Sequence, residues 1–174
     1  MLKRLAAALL TVLILSAGPV AAQSLDDIAK AESALDTVWA KTPLTVRQAF
    51  FVTEAASGFG VYSKRPDANF KQGEQLLAYA EPVGYGWKTN ADGTYTFGFD
   101  VDLAIQSADG NEMMKKPNFA HLALTSHAKN HEFMVSLTLD LTGAEPGDYI
   151  AAYTLRDISS DKSTVITLPF TIVK

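Results

Sequence analysis

The sequence predicts a mainly β fold: an antiparallel β-sandwich of seven to eight strands with an N-terminal helix. Three observations predict it. Two long stretches alternate apolar and polar residues with a period of two. Turn-forming residues recur between such stretches. Ahead of them, one segment carries apolar residues at helical spacing and ends at a Thr-Pro step.

The first element is a targeting segment. Lys3 and Arg4 form a charged start, Leu5 to Ser16 an apolar run too short to span a bilayer, and Val20, Ala21 and Ala22 a small-residue cleavage context. That order predicts a cleavable signal peptide over 1–22, with Gln23 as the mature terminus. A buried N-terminal helix is the plainer alternative. The sequence has no cysteine, so lipid acylation at a cleavage-site Cys, disulfides and thiolate metal sites are all excluded. A periplasmic protein is expected, with full secretion as the alternative.

Residues 23–41 form the predicted helix. Ser24 is placed to cap it, and Asp26 and Asp27 suit the positive end of its dipole. Leu25, Ile28, Ala31, Leu35 and Val38 form a stripe expected to pack on the domain. Thr42-Pro43 ends the helix.

Residues 42–174 form the predicted β domain. Tyr95, Phe97, Phe99, Val101, Leu103 and Ile105 alternate with mostly polar residues, and Phe133, Val135, Leu137, Leu139 and Leu141 do the same. These faces are expected to share one core. Further strands are predicted at 46–53, 75–81, 119–125, 149–155 and 164–172, with Pro169 placing an edge or a bulge in the last. Turns fall at 90–93, at Asp109-Gly110, at 145–148 and at 159–162.

Leu139 to Ile172 resembles the closing strands of a bacterial immunoglobulin-like domain: a turn at Pro146-Gly147-Asp148-Tyr149, a strand ending in Arg156-Asp157, a hairpin and a last strand. Tyr149 matches the position of the tyrosine corner of such folds, and Ala151 stands where antibody domains carry a Cys. Gly73-Glu74, Tyr79-Ala80-Glu81-Pro82 and Gly84-Tyr85-Gly86-Trp87 also resemble uncharacterised exported bacterial proteins with this immunoglobulin-like β-sandwich. The resemblance implies architecture and leaves function open.

Composition narrows the partners. The net charge is −4, and without Lys3 and Arg4 it is 13 basic residues against 19 acidic, or −6. A mildly acidic surface argues against nucleic acid and against anionic membrane. An envelope protein, a glycan or a peptide is the expected partner, with no membrane insertion after cleavage.

Three groups of residues carry chemistry. Tyr79, Glu81, Tyr85 and Trp87 form an aromatic–acid cluster in a glycine-rich stretch, of the kind that gives a ligand flat apolar contact with a polar handle. Tyr85 is expected to be its exposed member, and the plainer reading is that Tyr79 and Trp87 are core. His121, His127, His131 and Glu132 combine imidazoles and a carboxylate that suit Zn²⁺ or Cu²⁺. Their plainer reading is a solvated loop. Asp100 and Asp102 share one strand face, as paired carboxylates for Ca²⁺ or acid–base work, or simply as a solvated face that resists edge aggregation. There is no nucleophile elbow, zinc-protease helix, P-loop or dinucleotide fingerprint. The expectation is a non-catalytic binding or interaction module, with no required cofactor. A periplasmic metal-binding protein using the histidine cluster is the alternative.

Overall fold

The computed structural model describes residues 24–174. The predicted signal peptide and Gln23 lie outside the described residues. The fold is mainly β with one N-terminal helix, as expected. No helix among the described residues is long and apolar enough to cross a membrane.

Helix α1 spans Leu25–Lys41. A reciprocal cap starts it: the Asp27 N–H donates to the Ser24 hydroxyl at 3.3 Å, and the Ser24 N–H donates to the Asp27 carboxylate at 3.0 Å. The strands are β1 (Thr45–Val52), β2 (Asn69–Lys71), β3 (Gln75–Val83), β4 (Lys88–Thr89), β5 (Tyr95–Ser107), β6 (Glu112–Ser126), β7 (Val135–Asp140), β8 (Gly147–Asp157) and β9 (Ser163–Val173). Among the described residues the count is nine, because the short β2 and β4 carry no alternation long enough to read in sequence.

One sheet has three strands in the order β1-β3-β7. The other has six: β2-β9-β8-β5 in sequence across the sheet, with β4 and β6 also paired to β5. All pairs are antiparallel except β2 with β9. The sheets curl into a half-barrel. Their inward faces meet in one core. Leu76, Ala78, Ala80, Val135, Leu137 and Leu139 come from the small sheet, and Phe97, Phe99, Val101, Tyr153, Leu155 and Leu168 are among those from the large one. The two alternating stretches do therefore face a shared interior, because a period of two puts every second side chain on one face.

β9 carries Pro169 where only β8 flanks it. Pro169 pairs opposite Ile150, whereas β2 reaches only Thr171 to Val173. The missing N–H is therefore tolerated at a locally free edge.

Two expectations are corrected. The stripe of α1 does not pack on the domain: Leu25, Ile28, Leu35 and Val38 are exposed, and Trp39 alone in the helix is buried. The two sheets fill the core with their own side chains, so only the last turn of the helix finds a socket. There Trp39 donates its indole N–H to the Tyr85 carbonyl at 2.8 Å, and Lys162 Nζ donates to the carbonyls of Ala40, Thr42 and Gly84. The second correction is the strand expected at 119–125, which runs from Glu112 to Ser126. A bulge absorbs Pro117. Leu103 pairs with Lys116 and Val101 with Ala120, so three residues of β6 face Asp102 alone.

Candidate binding groove between two free edges

β6 is an edge strand. β5 pairs with one side of it along its length, and nothing among the described residues pairs with the other. β7 is likewise paired only to β3. The two free edges flank the open side of the half-barrel.

The two halves of β6 differ in how they guard that edge. The first half carries Lys115, Lys116, Pro117 and the bulge, all of which discourage another strand from pairing. Asp102 secures the bulge. It accepts the Asn118 N–H at 2.8 Å and both guanidinium contacts of Arg156, at 3.0 and 3.1 Å. The Asn118 N–H, then Arg156, hold its carboxyl below the usual range. Asp102 is thus committed to structure. The second half, Ala120 to Ser126, has no Lys, no Pro and no bulge.

Beside this second half lies a hollow of about 490 Å³. Phe59, Leu122, Leu124, Phe133 and Met134 give its apolar walls, and His121, Glu132 and Ser136 its polar ones. Leu122 and Leu124 pair opposite Phe99 and Phe97 and share their inward direction. β6 overhangs the small sheet, so Leu124 stays 51% exposed while Phe97 is fully buried. Gly98 makes the β5–β6 approach possible. Its φ is +148°, and a Cβ there would lie 1.9 Å from the Leu122 carbonyl oxygen. On the outer rim His121 Nδ1 lies 2.7 Å from Asp100 Oδ1.

The aromatic–acid cluster expected to bind a ligand is divided and largely buried. Tyr79 and Glu81 project from the outer face of β3, under the loop that follows β1. Glu81 Oε1 accepts the Gln48 amide at 2.7 Å and the Tyr79 hydroxyl at 2.8 Å, and the Tyr79 oxygen accepts the Gly60 N–H at 2.8 Å. This network clasps the loop to the sheet. Burial pushes the Tyr79 phenol up to about 12.

Tyr85 is not the exposed member: its exposure is 0%. Its hydroxyl and the Trp87 indole N–H both donate to the Asn130 carbonyl at 2.9 Å, and Trp39 packs edge-on against Tyr85 and stacks with Trp87. The strand leaving the sheet at Gly84 turns these rings inward, because they form the socket for α1. Periodicity within their own segment could not show this, since the partners come from residues 39 and 130.

The four residues expected to ligate a metal divide between two places. His121 and Glu132 border the hollow beside β6. His127 and His131 line a separate cleft of about 350 Å³ with Glu32, Asp36 and Lys129. His131 stands edge-on to both Trp39 and Trp87, with Nε2 3.1 Å from Asp36 Oδ1 but outside hydrogen-bond alignment. No group of three or more His, Asp or Glu side chains able to hold a metal occurs among the described residues. The groove itself was missed in sequence. Its one legible signal is the contrast between the guarded and unguarded halves of 112–126.

No protein-family model matches the chain, and comparison with curated proteins finds no match. Among solved structures, the alkylpurine DNA glycosylase AlkC of Pseudomonas fluorescens, bound to DNA containing an abasic site analog, is similar over 87% of this chain. The identity is 11% and the TM-score 0.41, and this chain spans 40% of the length of that one. The exclusion of nucleic acid as a partner is corrected, because it rests on net charge alone. Net charge is a sum over the whole chain, whereas a partner meets a local field, so an overall charge of −4 excludes no partner. At this level of likeness the neighbour assigns no ligand to this chain.

Proposed function

We propose that the chain is an exported, non-catalytic binding module that takes an extended peptide segment of an envelope protein by strand addition to β6. The observation that carries it is the unguarded edge from Ala120 to Ser126, set beside an apolar hollow. A free edge offers a row of N–H and C=O groups, and only another extended backbone complements such a row. Alternate side chains of the added strand then drop into the hollow and confer selectivity. The order of charged, apolar and small residues over 1–22 supports export. The fold we infer is a variant of the immunoglobulin-like sandwich. It is supported by the tyrosine-corner hydrogen bond, in which the Tyr149 hydroxyl donates to the Glu145 carbonyl at 2.8 Å.

The test uses fluorescent nine-residue peptides that alternate Val or Leu with Thr or Lys, measured by anisotropy. Each has a copy N-methylated on alternate amides. The parent peptides should bind, and N-methylation on the pairing side should weaken them at least tenfold, since it removes donors and keeps the side chains. Leu124→Lys should weaken binding similarly while leaving the melting temperature within a degree or two, because Leu124 is half exposed. Equal binding of parent and N-methylated peptides would rule out strand addition. Capture of a twelve-nucleotide oligothymidylate in place of the peptides, abolished by Leu124→Lys, would assign the groove to nucleic acid instead.

A further inference from the structure

The hollow beside the unguarded half of β6 joins apolar walls to a single carboxylate. Leu122, Leu124, Phe133 and Met134 supply the walls, and Glu132 supplies the carboxylate. Glu132 is exposed, and its side chain has no hydrogen-bond or ion-pair partner among the described residues.

The other charges around the groove have neighbours of their own. On the outer face His121 Nδ1 lies 2.7 Å from Asp100, and Arg156 donates to Asp102. Lys129 reaches Asp36 at 2.9 Å, Lys64 lies over the Phe50 ring at 4.9 Å, and Lys116 lies over the Phe119 ring at 5.4 Å. No Lys or Arg is among the residues that line the hollow. Glu132 is therefore the unmatched charge of its lining.

That charge makes a demand on an occupant. A side chain that fills the hollow removes water from the Glu132 carboxylate, and a carboxylate that loses water without gaining a partner is costly. A purely apolar side chain imposes that cost. An acidic one adds like-charge repulsion. A lysine or arginine suits both parts of the site. Its methylene stem lies along Leu124, Phe133 and Met134, and its cation stays at the rim beside Glu132. Pairing to β6 makes no such distinction, since backbone groups are common to every sequence.

We infer that Glu132 selects the partner: the segment taken by β6 carries a lysine or arginine among the side chains that enter the hollow. This inference rests on strand addition to β6 and adds to it the charge of the peptide.

The test uses nine-residue peptides with uncharged ends, apolar at alternate positions and threonine between. Each apolar position in turn becomes lysine, norleucine or glutamate. The set competes against a fluorescent parent peptide, read by anisotropy. At one position lysine should bind about fivefold or more tightly than glutamate, the scale of a partly exposed ion pair. Glu132→Gln should erase that difference and leave the norleucine peptide bound as before or more tightly. Glu132→Lys should reverse the order. Because Glu132 is exposed, both variants should melt as the wild type does. Peptides that bind with no preference for lysine at any position would overturn this inference and leave strand addition standing. A lysine preference that survives Glu132→Gln would also overturn it, by placing the selection elsewhere. If no peptide of any charge binds, strand addition and this inference fall together.

Discussion

Three of the six tyrosines spend their hydroxyls in different ways, and the differences have measurable consequences. Tyr79 donates to Glu81, Tyr85 donates to the Asn130 carbonyl, and Tyr153 has no partner among the described residues. Burial raises all three phenols above their ordinary value, Tyr79 to about 12 and the other two further still. A raised folded value means that stability is intact below pH 10 and is lost as the pH rises toward 12 and beyond. Alkaline titration at 295 nm should show these three ionising only with the collapse of the fold. Three late phenols that titrate reversibly near pH 10 would contradict their burial. Such burial is only half readable in sequence. Tyr153 sits in an alternating run, so its inward direction is legible. Tyr85 lies between glycines, and nothing in its own segment announces that Trp39 covers it.

At the scale of elements, α1 behaves as an arm pinned at one end. Its capping box and acidic first turn are local and were legible from Ser24 to Asp27. Its docking was not, because the apolar stripe that promises packing faces water, while the helix is held by the buried Trp39 indole, by Lys129 on Asp36 at 2.9 Å and by Lys162 on the Ala40 carbonyl. In proteins most helical stability comes from tertiary packing, and this helix buries one side chain. Trp39→Ala should therefore release it. Hydrogen exchange across Leu25–Lys41 should accelerate toward that of an unstructured peptide, while β5 stays protected. Undiminished protection of the helix would mean that Lys129 on Asp36 and Lys162 on the Ala40 and Thr42 carbonyls suffice to hold it. β6 shows the same division. Its second half alternates and was readable, whereas its first half becomes a strand only because β5 extends beside it and Asp102, Asn118 and Arg156 stabilise the bulge.

Over the whole molecule, the two alternating stretches close one core, which makes it cooperative. Phe99 and Leu137 stand on different sheets, with 0% and 3% exposure. Phe99→Ala should cost about 3–5 kcal/mol and Leu137→Ala about 2–5 kcal/mol, through lost burial and the cavity left behind. Denaturant melts that leave either variant unchanged would show that its side chain does not belong to the core.

By itself the sequence determined a mainly β fold behind an N-terminal helix, most strand positions, the turns and the two-sided character of β5 and β7. These depend on periodicity and turn chemistry, which are properties of neighbouring residues. It could not determine which edges stay free, which aromatic residues are enclosed or where the histidines go. Those depend on strands distant in the chain coming side by side. Tertiary structure therefore decided the candidate site: β6 overhangs the small sheet, and a hollow opens where two unpaired edges face each other.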